Sequence, residues 1–245
     1  MAQRFFVGGV LDRSQIGTSI ALPDEVVHHA LRVLRLAAGT PIILFDGSGG
    51  EYRATLVHAG RRDAAAELEA FDPVERESPL RVTLVQSILA ADAMDFAVRK
   101  SVELGAAAIS PVFATRSQRW PAGDRSDKRL AHWRGIAVAA CEQCGRNRIP
   151  AIAAAEPLEV WLRASPRRSS VLAGPQAVAS LAAHALRSPP EAIVIGPEGG
   201  FTPLELALAS ASGVVAVHLG PRVLRSETAA VAALATLAAI AGDAR

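Results

Sequence analysis

Three stretches of the chain set a Gly-Pro step directly after a run of apolar residues. They are "LAGPQ" (Leu172 to Gln176), "IGPEGG" (Ile195 to Gly200) and "LGPRVLRSET" (Leu219 to Thr228). In open α/β sheets, ligands collect just beyond the carboxyl ends of the strands, so these loops are where chemistry is expected. Glycines 196, 199 and 200 leave backbone N–H and C=O groups uncovered, which lets a flat ligand come close. A phosphate is a poor fit. No Gly-x-x-x-x-Gly-Lys-Ser/Thr or Gly-x-Gly-x-x-Gly pattern follows a strand, and Glu198 would repel an anion. A ligand that is uncharged or cationic where it meets the loop suits these residues better. The plain alternative is a tight strand-to-helix turn.

The elements around the loops follow from residue patterning. Thr202-Pro203-Leu204-Glu205 fits a capping box, with Thr202 as N-cap and Pro203 at the first helical position. From Leu80 onward, apolar strand runs alternate with helical patterns. They are "LRVTLVQSIL", "DAMDFAVRKSVELG", "AAISPV", "DKRLAHWRGIAVAACEQCG", "RSSVLAG", "AVASLAAHALR", "EAIVIG", "PLELALASAS", "GVVAVHLG" and "ETAAVAALATLAAIAG". Such alternation predicts a parallel sheet flanked by helices, an α/β fold. The last helix is apolar nearly all round, so it should be buried on every side, in the core or at a subunit interface.

The first seventy residues read instead as short strands: "RFFVGG", "GTSIAL", "TPIILFDGSGGEYRATLV" and "AAAELEAF". Asp46 to Gly50 is a hairpin loop, and it carries no lysine and no following helix. One helix, "DEVVHHALRVLRL" with Pro23 in its first turn, interrupts them, giving a small β-barrel with one helix. The polar, proline-bounded "DPVERESP" (Asp72 to Pro79) is the best boundary, dividing residues 1–73 from 78–245.

Composition narrows the classes. Half of the 245 residues are apolar and 20% are charged, as in a well-packed globular protein. No run reaches the length of a membrane helix and no signal peptide is evident, so the expected compartment is the cytoplasm. The formal net charge is only +2, but all cations except Lys100 and Lys128 are arginines. Base composition accounts for such a bias, and so does recognition of phosphates and base edges. Arg116 and Arg119 in "ATRSQRW" and Arg146 and Arg148 in "CGRNRIP" form a candidate basic patch. Cys141 and Cys144 ("CEQC") fall late in a helix and have no second ligand pair, so they read as reduced and structural. No metal is expected.

Taken together, "IGPEGGFTPLE" and "LGPRVLRSETAAVAAL" resemble the C-terminal signature of the RsmE family of SPOUT methyltransferases. "LVQSILAADAMDFAVRKSVELGAAAISPV", "RSQRW" and "AACEQCGRNRIP" extend the resemblance over nearly the whole chain. Ala90, Ala91 and Ala93 depart from it, standing where relatives often carry basic residues. The resemblance implies a C-terminal SPOUT α/β domain with a deep trefoil knot and an N-terminal PUA-like β-barrel. General rules on unknotted chains would have excluded the knot. It implies a homodimer that uses S-adenosylmethionine to methylate N3 of a uridine in 16S rRNA of the small ribosomal subunit. It assigns the methyl donor to Leu172, Gly174, Ile195, Gly196, Gly200, Leu219, Gly220, Val223, Leu224 and Thr228. Arg225 is the candidate for positioning the uracil and stabilising charge on its oxygen; a salt bridge to Glu227 or Glu198 is the plainer role. Glu198 either serves the proton transfer or holds the loop. Arg116, Arg119, Arg146 and Arg148 would then contact RNA phosphates. Competing readings are a SPOUT enzyme acting on another target, such as a ribose 2′-oxygen, and a non-catalytic RNA-binding assembly factor.

Overall fold

The computed structural model describes residues 2–9, 11–120, 123–164 and 169–243, which divide into two compact units. The first holds residues 1–77 together with Cys141–Ile149, and the second holds the remainder.

In the first unit the strands are β1 (Gln3–Phe6), β2 (Ser19–Ala21), β3 (Pro41–Phe45), β4 (Glu51–Ala59) and β5 (Ala64–Asp72). They pair in the order β1-β3-β4-β5-β2, with β1 parallel to β3 and the rest antiparallel. Alternation along β4 buries Tyr52, Ala54 and Leu56 while Arg53 and Val57 stay exposed, the period of a sheet with one face on a core. Phe5, Ile42, Leu44 and Leu68 complete that core. Helix α1 (Asp24–Val27) covers it and runs on as a π-helical stretch, His28–Val33. Pro23 sits one place before the expected first turn, as the N-cap.

The segment Cys141–Ile149, which sequence patterning joined to the second half, belongs to this unit through polar bonds. Arg146 is 3% exposed and grips Glu77 through Nε at 2.9 Å and Nη2 at 2.5 Å. Asn147 accepts from Arg4 and donates to the Val74 carbonyl, and Glu142 accepts from the N–H of Phe6. Glu51 takes hydrogen bonds from both Arg4 and Arg76. Burial pushes the Glu51 carboxyl up, but the Arg76 and Arg4 bonds outweigh it and hold the group below its usual range. Burial also pushes the Cys141 thiol up to about 12, which keeps it protonated at neutral pH.

The second unit is built on β6 (Thr83–Ser87), β7 (Ala108–Phe113), β8 (Ala151–Ile152), β9 (Glu156–Pro157), β10 (Ser170–Ala173), β11 (Ala192–Ile195) and β12 (Val215–Val217). Every pairing is parallel, in the order β12-β10-β11-β6-β7-β8, with β9 also on β7. The helices are α2 (Ala91–Glu103), α3 (Asp124–Cys144), α4 (Leu158–Arg163), α5 (Leu181–Ala185), α6 (Pro203–Ala211) and α7 (Ser226–Ala241). The last turn of α3 counts with the first unit. Arg168, at the head of the expected β10 run, lies outside the described residues.

Alternate strand residues serve two cores, as a sheet covered on both faces requires. Leu84, Val171, Ile193, Ile195 and Val217 pack with α7 and α5, whereas Val85, Val112, Leu172 and Val194 pack with α4 and α6. Two features differ from the patterning, and the cover of α7 is partial within one chain, as the interface alternative allows. The stretch 151–163 forms β8, β9 and α4, which are too short for periodicity to reveal. Helix α5 begins only at Leu181, because the Ser180 hydroxyl accepts from the N–H of Ala183 and caps it there. Helix α7 is not buried all round. Ala229, Ala230, Ala233, Leu234, Leu237 and Ala238 are buried, while Thr228 and Ala239 are exposed and Val231, Ala232 and Ala235 are partly covered. Among the described residues no helix is long and apolar enough to cross a membrane, and no group of three His, Cys, Asp or Glu could hold a metal.

Replacing Glu51 by Gln should lower the stability of the first unit by about 3 kcal/mol, because it leaves buried arginine charge unmatched. The Glu51 contribution is full above the ordinary carboxylate pKa and disappears as pH falls through the depressed one. Thermal denaturation from pH 7 to pH 3 should therefore show the parent losing stability more steeply than Glu51→Gln.

Candidate ligand site at the carboxyl ends of three strands

Because β12, β10 and β11 are neighbours running the same way, the three Gly-Pro loops emerge side by side at one edge of the sheet. The first and third loops are stitched together. The N–H of Gly174 donates to the Val217 carbonyl at 2.8 Å, and Ser180 bridges His218. The second loop is a tight turn in which Gly200, at φ +70°, donates its N–H to the Pro197 carbonyl. Gly196 lies under the ring of Phe201, where any Cβ would come within 3.0 Å of it.

A fourth loop, after β7, joins this group. Arg116 donates to the Gly199 carbonyl at 2.9 Å. Glu205 accepts from the N–H and hydroxyl of Thr115, and in the expected capping box it also takes the N–H and hydroxyl of Thr202. Burial raises the Glu205 pKa, but the bonds from Thr202 and Thr115 prevail and hold it below the usual range. This tie between the second loop and the loop after β7 leaves no mark in the spacing of residues.

The anticipated site residues are disposed as follows. Leu172 and Ile195 are buried at strand ends, so only their backbone can face a ligand. Gly174, Gly196, Gly200, Leu219, Gly220, Val223, Leu224 and Thr228 all fall on the clustered loops or at the start of α7. The expectation of freely available glycine N–H groups is narrowed, since those of Gly174, Gly200 and Gly220 are engaged within the chain. The third loop is the open one. Among the described residues, the N–H groups of Leu219, Arg222, Val223 and Leu224 make no bond, and Val223 is 83% exposed. Unengaged N–H groups, glycines without obstruction at Gly200 and Gly220, and no lysine suit a neutral heterocycle attached to a cationic group.

Arg225 is exposed at the N-cap of α7, and its side chain makes no capping bond. Neither Glu227 nor Glu198 forms a salt bridge with it, so the plainer role is not realised here. Glu198 accepts from the N–H of Ala90 at 3.3 Å, at the head of α2, where Ala90 supplies no cap of its own. The acid thus supports the alanine-rich turn that departs from the family wording.

Arg116 and Arg119 are exposed in the second unit, and Arg148 is exposed in the first, paired with Glu75. Arg146 must be withdrawn as a phosphate contact: it is buried and committed to Glu77. Sequence reading also missed Gln86 and Ser226. Gln86 donates from Nε2 to Ser226 Oγ at 2.9 Å, and Ser226 donates to the Gly196 carbonyl at 2.5 Å. The available signal was the polar pair Gln86-Ser87 inside an otherwise apolar strand.

Comparison with known proteins agrees with this arrangement. Residues 76–238 match the model of an RNA methyltransferase domain, and residues 22–69 match an RNA methyltransferase PUA domain. The ribosomal RNA small subunit methyltransferase E of Buchnera aphidicola is 30% identical over 94% of each chain. A solved structure of that enzyme from Neisseria gonorrhoeae, bound to S-adenosylmethionine, superposes with a TM-score of 0.89 at 38% identity, covering 98% of both chains. A Legionella pneumophila protein solved with S-adenosylmethionine bound gives 0.91 at 34% identity, also over 98% of both. With the loop pair, the α/β sheet and the PUA domain all accounted for, the chain belongs to the ribosomal RNA small subunit methyltransferase E family.

Proposed function

We propose that this protein transfers a methyl group from S-adenosylmethionine to N3 of a specific uridine in the 16S rRNA of the small ribosomal subunit. The observation that carries the reading is the meeting of three Gly-Pro loops beyond adjacent parallel strands, with the N–H groups of Leu219, Arg222, Val223 and Leu224 in the third loop unengaged. When bound, the donor supplies an electrophilic methyl on a cationic sulfur. The residues for it are Leu172, Gly174, Ile195, Gly196, Gly200, Leu219, Gly220, Val223, Leu224 and Thr228. The strand-end members act through backbone groups, and the open third loop faces the heterocycle.

Methylation at N3 removes a weakly acidic proton, so negative charge builds on the uracil oxygens as that proton leaves and is consumed as the N–C bond forms and the sulfur becomes neutral. In this reading Arg225 neutralises that charge and orients the base, a role supported by its exposure at the head of α7 and its lack of a capping bond. Glu198 is assigned to loop support through Ala90; proton acceptance is its second candidate role. Arg116, Arg119 and Arg148 supply phosphate contacts that set register without reading sequence.

The same reading includes a C-terminal trefoil knot, closure of the first unit into a PUA-like barrel, cytoplasmic location and a homodimer. The partly covered face of α7, with Val231, Ala232, Ala235 and Ile240 only half-buried, supports the dimer, since a contiguous apolar face gains from a partner.

Small subunits lacking the mark, incubated with the protein and donor, should gain one methyl on a uracil base, identified by mass spectrometry. A ribose methyl, or donor binding without any transfer, would replace this reading. Arg225→Ala should leave donor affinity near the parent value by calorimetry while lowering turnover about 100-fold, the scale of one lost charge-stabilising group. Arg119→Ala should weaken RNA binding and reduce the slope of log affinity against log salt by about one, with donor binding unchanged.

A further inference from the structure

The carboxyl end of β6 interrupts its apolar run with Gln86 and Ser87, and both are fully buried. Polar groups so placed cost stability unless they are bonded. Gln86 Nε2 donates to the Ser87 carbonyl at 3.1 Å and to Ser226 Oγ at 2.9 Å. Gln86 Oε1 and Ser87 Oγ are buried and have no partner. A residue kept at such a cost points to what its other end accomplishes.

That end leads to the second loop. The Ser226 hydroxyl has one hydrogen, and a carbonyl can only accept, so the 2.5 Å bond to Gly196 takes that hydrogen. Ser226 must then accept from Gln86, which fixes the amide with Nε2 toward the serine. The result is a directional chain from β6, through the first residue of α7, to the peptide that opens the loop after β11. Serine near a helix start commonly caps its own helix. Here Ser226 reaches across to another loop, and α7 begins with no side-chain cap.

Gly196 needs such an external hold. Glycine restricts its own peptide plane least of all residues, and a Cβ here would crowd the Phe201 ring, whose atoms lie 3.0 to 3.4 Å from its position. The bond from Ser226 fixes where the Gly196 carbonyl points, and with it the path into Pro197 to Gly200.

We propose that Gln86 and Ser226 are positioning residues for methyl-donor binding: they lock the Gly196 peptide of the donor loop from beneath. The inference rests on the assignment of these loops to the donor. Neither residue is available to the ligand itself, since Gln86 is 0% and Ser226 is 6% exposed.

The test is calorimetric binding of S-adenosylmethionine, and of S-adenosylhomocysteine, to the full-length parent, Ser226→Ala, Ser226→Thr and Gln86→Met, well below each melting temperature. Ser226→Ala should weaken donor binding about tenfold, the scale of a lost hydrogen bond that leaves buried partners unmatched. Ser226→Thr keeps the hydroxyl and should remain within about threefold of the parent on the same scale. In steady state, Ser226→Ala should raise KM for the donor and leave both kcat at saturating donor and KM for small subunits unchanged. A purely structural role would instead lower the active fraction and spare KM. Donor affinity in Ser226→Ala equal to the parent's, or a Thr variant as weak as Ala, overturns the inference. Should Ser226→Ala fail to fold, Gln86→Met decides: parental donor affinity there also overturns it. Failure of the parent itself to bind either compound overturns the donor-loop reading, a separate result.

Discussion

The arrangement depends on one piece of backbone geometry: β10 pairs in parallel with β11 on one side and β12 on the other. Each of these strands is only three or four residues long. Parallel pairing makes all three chains leave the sheet at the same end, so loops distant in sequence become neighbours without any long insertion. Short strands give little pairing energy, and the rest of the unit compensates by covering both faces. Ile193 and Val171 are locked under α7 and α5, and Val194 and Leu172 under α4 and α6. A loop cluster is no more rigid than the layer beneath it, and here that layer is apolar and packed on both faces.

Side chains then tie the loops sideways. Glu205 is the plainest case, since one carboxylate completes the cap of α6 and also holds Thr115. Glu198 and Arg116 extend the same stitching to Ala90 and Gly199. Charged residues in this region therefore divide into those consumed in building the platform and those left free. Arg225 and Arg119 fall in the second group among the described residues, whereas Arg116 spends one nitrogen on the Gly199 carbonyl and stays exposed with the rest of its guanidinium.

Much of this could be read from the amino acids. Branched apolar runs ending in Gly-Pro gave the strand ends, and Thr202-Pro203-Leu204-Glu205 gave the start of α6. The alternation in β4 and the Asp46 to Gly50 hairpin gave the first unit its sheet. What escaped notice depends on contacts between residues far apart in the chain. The patterns of β8, β9 and α4 are too short to carry a period. Arg146 looked like surface charge because no local rule reveals that Glu77 waits for it. Gln86 passed as part of an apolar strand run because its partner lies 140 positions away. The expected barrel is a reading of the strand pattern, whereas the expected knot rests on family resemblance alone, since strand and helix patterns contain no information on threading.

The attachment of Cys141–Ile149 to the first unit also bears on how the molecule can be taken apart. The polypeptide passes between the two units at 77/78, at 140/141 and again at 149/150. A single proteolytic cut or gene truncation near residue 75 would therefore not release two independent modules. The fragment carrying the methyltransferase half would keep the Arg146–Glu77 pair but retain an orphaned piece of its neighbour, with Asn147 stripped of Arg4 and the Val74 carbonyl. The two halves are thus interleaved along the chain, and one cut cannot separate them.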